Sequence, residues 1–271
     1  MSNKALDFGF IQIYWYSIFV LLGVFVGLMV AMREIRKRGI NETFFMNMAF
    51  YTVIISLIGA RAYYVLFNLD IYSNNIVGMF EVWNGGLAIH GGILAGLAFV
   101  IFYTKRYKAD TLRILDICAV GLIIGQSIGR WGNFFNKEAF GALTTKANLV
   151  AMKIPDFIIN GMYIGGEYYH PAFLYESLWN IVGFAILLVI RNRFAYLKKG
   201  QLTGFYLMWY SVGRFFIEAG RGDSLMFGTI KAAQGLSLIL FVLGFCLFAS
   251  KIKGSRFENL YREEVVNDGE F

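Results

Sequence analysis

Residues 8–32 read FGFIQIYWYSIFVLLGVFVGLMVAM and run straight into Arg33-Glu34-Ile35-Arg36-Lys37-Arg38. This uncharged stretch exceeds the roughly 20 apolar residues that a helix needs to cross a hydrocarbon core about 30 Å thick. It has no small-residue cleavage site ahead of its basic flank, so it reads as a retained membrane helix, not a signal peptide. The same ruler predicts six further spans, roughly Phe44–Leu69, Leu87–Tyr103, Leu112–Ile128, Phe173–Ile190, Leu202–Ile217 and Ala232–Ala249. Composition agrees: 58% of the 271 residues are hydrophobic and 16% charged, against about 45–50% and about 25% in soluble domains. Such a chain is no ordinary soluble domain, and 2 Pro and 2 Cys rule out collagen and a disulfide scaffold. The expected fold is an all-α integral membrane protein of about seven transmembrane helices, forming one polytopic domain over 1–271.

The basic residues set the expected orientation. The loops after the first, third and fifth spans and the C-terminal tail carry four Lys or Arg each, and six lie on the other side. Positive residues collect on the cytoplasmic face, so the N-terminus is expected outside and the C-terminus inside. A net charge of +7 is thereby explained by topology, and no nucleic-acid partner is expected. Residues 131–171 are expected to form a small extracytoplasmic cap, too short to bury a core of its own. Within it Met162-Tyr-Ile, Gly165-Gly166 and Glu167-Tyr-Tyr read as a hairpin, because paired glycines supply the positive φ of a tight turn. Residues 251–271 read as a solvated cytoplasmic tail.

Gly121, Gly125 and Gly129, with Gly23/Gly27 and Gly92/Gly96, recur every four residues, a spacing that lets helices approach closely in lipid. Cys118 and Cys246 read as small buried apolar residues.

Placing each costly polar residue at its depth is more informative. Tyr16, Arg61, His90, Arg130, Glu176, Tyr210, Arg214 and Glu218 all fall in the outer halves or at the outer ends of their spans, and no comparable set falls in the inner half. Ionisable groups inside a bilayer are expensive and functional by default. Three arginines at one level call for an anion, and Arg grips phosphate through paired N–H donors. Tyr210, Arg214 and Glu218 follow i, i+4, i+8 and share one helix face. His90 opens a helix between glycines, where backbone N–H groups attract anions and an imidazole can accept a proton.

The segment Gly129-Arg130-Trp131-Gly132-Asn133-Phe134-Phe135-Asn136-Lys137-Glu138-Ala139-Phe140-Gly141 resembles, over all thirteen positions, the signature G-R-x-G-N-F-x-N-x-E-x-x-G of the bacterial prolipoprotein diacylglyceryl transferases. His90-Gly91-Gly92, His170-Pro171 with Leu174-Tyr175-Glu176, and Tyr210 with Gly213-Arg214-Phe215 and Glu218 are similar to other blocks of that family, in its order. The likeness implies an inner-membrane enzyme, active toward the outer leaflet, that moves the diacylglyceryl group of phosphatidylglycerol onto the lipobox cysteine of a preprolipoprotein. It ties Tyr16, His90, Arg130, Asn133, Glu138, Gly141, Tyr210 and Arg214 to activity, although Ser17 stands where the family has Gly after the tyrosine.

On this reading Arg130 and Arg214 hold the headgroup phosphate, and Arg61 and Arg221 add charge nearby. Glu138, Glu176 and Glu218 orient arginines or protonate the leaving group. Two routes to the attacking thiolate fit these residues: His90 as base, or the positive field of the arginines. Neither cofactor nor metal is expected, because the two histidines have no ligand-spaced partner. A monomer is expected.

Overall fold

The structure, a computed structural model, describes residues 4–7, 12–72, 76–221, 226–227, 230–250 and 260–262. Strands β1 (Lys4–Asp7) and β2 (Gln12–Tyr14) pair ahead of α1 (Trp15–Lys37), α2 (Glu42–Leu66), the single turn α3 (Leu69–Tyr72) and two 3₁₀ turns (Val77–Phe80, Val82–Asn84). Then come α4 (Ile89–Arg106), α5 (Thr111–Asn136), β3 (Leu143–Thr144), α6 (Lys146–Ala151), α7 (Asp156–Gly161), β4 (Tyr163–Ile164) and β5 (Glu167–Tyr169). The chain continues through α8 (Ala172–Arg193), α9 (Gln201–Ala219), β6 (Met226–Phe227), β7 (Ile230–Lys231) and α10 (Ala232–Ser250).

Every predicted span falls on a helix. Five of these, α1, α2, α5, α8 and α10, are long and apolar enough to cross a membrane. Their large side chains face outward, Leu21, Phe25, Phe50 and Leu238 among them, as a helix in lipid requires.

Two boundaries differ from expectation. The first helix starts at Trp15, because Gln12–Tyr14 is already paired as β2; residues 8–11 lie outside the described residues. The fourth predicted span does not stop at Ile128. No proline interrupts Arg130–Asn136, so α5 carries them as two further turns, Gly132 included, and ends only where Lys137 and Ala139 adopt positive φ (53° and 55°). Arg130 and Asn133 therefore stand on a helix, and the cap begins at Lys137.

The chain divides into two compact units, one comprising the described residues up to Arg33 and from Leu115 to Arg262, the other Glu34–Ile114. In the first, α1 and α5 touch backbone to backbone: a Cβ on Gly23 would lie 2.6 Å from the Gly125 carbonyl oxygen, and one on Gly27 2.7 Å from that of Gly121. Gly204 and Gly244 bring α9 and α10 together in the same way. Gly129 meets nothing, so the expected packing stripe ends at Gly125. The expected hairpin is present: β4 pairs β5 across Gly165 and Gly166 (φ 61° and 94°), and β3 completes an antiparallel sheet on the other edge of β5. The cap shares its core with helix ends, since Ile158 and Met162 are buried against Phe134 of α5 and Phe173 of α8.

The second unit is built around α2 and α4, which meet at Gly59 and Gly91. Asn41 caps α2 by accepting from the Phe44 amide at 3.0 Å.

Two expectations about the polar residues are corrected. A buried polar group does exist at the N-terminal end of α5: Asp116 is fully buried and accepts from the Gly200 and Thr203 amides and the Thr203 hydroxyl, each at 2.7 Å. Gly200 opens α9 with φ 92° and has no side chain to cap it, so a carboxylate from α5 supplies the missing acceptor. The tail is not wholly solvated either. Leu260 bridges Lys198, the Tyr261 amide donates to the Leu197 carbonyl at 2.8 Å, and the Tyr261 ring is completely buried. Cys246 is exposed, not buried, on the apolar surface of α10.

Tyr261→Ala is expected to cost roughly 3 kcal/mol, the usual loss on emptying a buried aromatic site, and to lower the thermal midpoint of the detergent-solubilised protein. An unchanged midpoint would mean that the tail does not dock.

Candidate active site

The first unit gathers a chain of alternating charges from three helix ends. The Arg130 guanidinium near the end of α5 meets Glu176 Oε2 at 2.6 Å, and Arg214 on α9 meets Glu176 Oε1 at 3.1 Å. Arg214 also meets Glu218 Oε2 at 2.7 Å, and Arg221, just past the helix, reaches the same oxygen at 3.7 Å. Both glutamates are nearly withdrawn from solvent, with side chains 7% and 4% exposed, while Arg130 keeps 25%. Three guanidiniums thus alternate with two carboxylates.

Each placement has a local cause. Glu176 sits one turn into α8, where Pro171 stops earlier helix. Arg214 and Glu218 are one turn apart on α9, as their spacing predicts. The carbonyls that close α9 are held by Lys231, whose ammonium donates to those of Glu218, Ala219 and Arg221 at 2.8, 3.1 and 2.6 Å. A cation there also complements the negative end of the helix dipole.

A small cleft opens on this chain, lined by Glu176, Trp179, Asn180, Tyr210, Gly213, Arg214 and Ile217. Tyr210 faces it as expected. The stripe extends one turn further back, to Tyr206, whose ring is 6.2 Å from that of Tyr210 and whose hydroxyl accepts from Gln126 at 2.8 Å. Tyr206 was detectable in the sequence at i−4 from Tyr210. Gln126 and Lys231 give no such signal, since their partners lie on other elements, and neither does Asn180, which lines the cleft.

The remaining motif residues shape the end of α5. Asn133 and Asn136 donate to the Glu138 carboxylate at 3.1 and 3.3 Å, closing the helix. Gly132 seats Tyr16, whose Cδ2 would lie 2.9 Å from an added Cβ. Gly141 donates its N–H to the His170 carbonyl at 2.8 Å, and a Cβ would lie 2.8 Å from that of His170. The His170 ring pairs with the Tyr175 hydroxyl at 3.1 Å.

Arg61 and His90 belong to the second unit. Arg61 is buried and donates to the carbonyls of Gly78, Met79, Gly85 and Gly86 at 2.6 to 2.9 Å, with Tyr64 and Tyr72 facing its guanidinium. Four of its five N–H groups thus organise the loop ahead of α4. His90 is exposed in the first turn of α4, its ring 6.5 Å from that of Tyr63.

Two guanidiniums that share one carboxylate present converging N–H donors, the arrangement that suits an oxyanion. Residues 3–250 match the family profile of the prolipoprotein diacylglyceryl transferases. The chain belongs to this family. Among relatives named phosphatidylglycerol–prolipoprotein diacylglyceryl transferase, that of Geobacillus kaustophilus is 46% identical over 249 residues, covering 92% of each chain. That of Listeria monocytogenes (strain EGD-e) is 44% identical over 243 residues, covering 90% of this chain and 87% of its own. For a member of the family, the stretch 129–141 now has a physical division: Arg130 reaches the charge chain, and the residues after it build the end of the helix.

Removing the shared carboxylate tests the arrangement. Glu176→Gln leaves part-buried Arg130 without this counter-charge and Arg214 with Glu218 in place of two carboxylates, and is expected to cost about 3 kcal/mol or more, seen as a lower thermal midpoint. A parent-like midpoint would mean that both arginines reach solvent unaided.

Proposed function

We propose that the chain transfers the diacylglyceryl group of phosphatidylglycerol to the lipobox cysteine of a preprolipoprotein, releasing glycerol phosphate, in the first step of lipoprotein maturation. The observation that carries this reading is the single carboxylate of Glu176 held between Arg130 and Arg214. A group that accepts from both guanidiniums at once stands where a headgroup phosphate would sit.

The substrate sulfur attacks the glyceryl CH2 that is bonded through oxygen to phosphorus. A C–S bond forms, the C–O bond breaks, and its electron pair stays on the phosphate oxygen, while the thiol gives up its proton. The phosphate gains negative charge as the bond breaks, so fixed guanidiniums bind the transition state more strongly than the ground state. Tyr210 lines the same cleft and orients the lipid headgroup, with Glu218 steadying Arg214 and Arg221 adding positive charge. Tyr16, Asn133, Glu138 and Gly141 set the shape of the adjoining surface. His90 accepts the thiol proton: an ordinary thiol has a pKa near 8.5, so a base raises the thiolate fraction.

Seven helices cross the cytoplasmic membrane in this reading, α4 and α9 included, with the N-terminus outside and the cap and charge chain at the outer leaflet. Both substrates are membrane-anchored and enter sideways from lipid, and the enzyme acts as a monomer.

Incubation of the purified protein with phosphatidylglycerol and a lipobox peptide should yield a diacylglyceryl thioether and free glycerol phosphate; absence of both products ends the proposal. Arg130→Lys and Arg214→Lys should each lower kcat by about a hundredfold or more, the usual cost of losing a transition-state donor, and full activity in both would remove the clamp. His90→Gln should abolish transfer while phosphatidylglycerol still binds, and near-normal turnover would take the base role from His90.

A further inference from the structure

The segments Trp179-Asn-Ile-Val-Gly183 on α8 and Trp209-Tyr-Ser-Val-Gly213 on α9 share the pattern Trp-x-x-Val-Gly. The two indoles stack with centroids 4.3 Å apart and planes 16° from parallel. Each ring N–H donates to the backbone carbonyl of the other tryptophan, at 3.0 Å from Trp179 and 3.1 Å from Trp209. Each ring also lies on the glycine of the other segment: a Cβ on Gly213 would run into the Trp179 indole, and one on Gly183 into the Trp209 indole. The contact is reciprocal in every part.

We propose that Trp179 and Trp209 are positioning residues whose mutual clasp sets the register of α8 against α9 and so holds Glu176 and Arg214 where one phosphate can meet both guanidiniums. The proposal rests on the diacylglyceryl-transfer reading. Sliding one helix by a single residue moves it about 1.5 Å, which would break both indole hydrogen bonds and lift both rings off their glycines together. Both indoles are half-buried, and an N–H withdrawn from water without a partner is costly, so the pair favours one register. That register is read out one turn away. Glu176 lies three residues before Trp179, Arg214 directly follows Gly213, and Trp179 itself lines the cleft beside both charges. Ordinary helix packing needs neither the crossed N–H bonds nor the matched glycine seats.

Trp179→Phe and Trp209→Phe keep an aromatic ring and remove the N–H. In the full-length enzyme each should lower kcat roughly tenfold to a hundredfold, the scale of an ångström of misplacement, with the KM for phosphatidylglycerol nearly unchanged because the displaced contact strengthens in the transition state. In an Arg214→Lys background, where paired donation is already lost, Trp209→Phe should cost little more. Trp83→Phe, on an exposed residue of the other unit, should behave as the parent. Should a Phe variant fail to fold, the benzothiophene analogue of tryptophan at the same position keeps the ring shape without the N–H and gives the same comparison. Parent-like kcat in both variants, a loss that follows only the folded fraction, or effects that add fully to Arg214→Lys would each overturn the positioning role. If the unsubstituted protein makes no thioether, the functional reading falls and this role with it, whereas an active parent with unaffected variants removes this role alone.

Discussion

The site depends on the carboxylate of Glu176 lying between the guanidiniums of Arg130 and Arg214. At an effective dielectric of about 20, two like charges 4 Å apart repel by about 4 kcal/mol, so two arginines cannot be left side by side in a water-poor cleft without a counter-charge. One glutamate offsets both, and Glu218 does the same between Arg214 and Arg221. The result is a row of alternating sign whose members neutralise one another without a ligand. Electrostatic catalysis needs its dipoles fixed before charge develops, and here they are fixed by one another.

Helix α9 carries most of that row and is tied at both ends by side chains that are not its own. Its first amides donate to Asp116 of α5 and its last carbonyls accept from Lys231 of β7. The signs match the helix dipole, a carboxylate at the N-terminus and an ammonium at the C-terminus. Along its length α9 lies against α10 at Gly204 and Gly244 and against α8 through the paired indoles. Freedom to slide or rotate, which would separate Arg214 from Glu176, is removed at each of these points.

What could be read in advance was whatever a helix repeats within itself. Apolar runs gave the long helices, five of them able to cross a membrane, and the i+4 spacing placed Tyr210, Arg214 and Glu218 on one face, where Tyr206 continues it. The features that escaped reading depend on a partner distant in sequence. Nothing near Asp116 announces that it caps a helix beginning 84 residues later, and Tyr261 sits among charged residues that resemble any solvated tail until it docks on Leu197. Arg61 shows the converse case. Its depth in a span suggested an anion site, yet four of its N–H groups go to backbone carbonyls of the following loop, and no local pattern announces those partners.

The thirteen residues from Gly129 to Gly141 looked like a list of ligands, and their physical roles are more varied. Arg130 alone among them joins the row of charges. Gly132 makes room for Tyr16, Phe134 is the centre of the core shared with the cap, Asn133, Asn136 and Glu138 terminate the helix, and Gly141 admits the backbone of His170. These contacts bear on where the end of α5 points, and therefore on whether Arg130 reaches Glu176. A motif this dense need not mean that every member touches substrate. A single guanidinium aimed to within an ångström requires the whole ledge beneath it to be built one way, and each residue that builds the ledge is constrained as tightly as the one it supports.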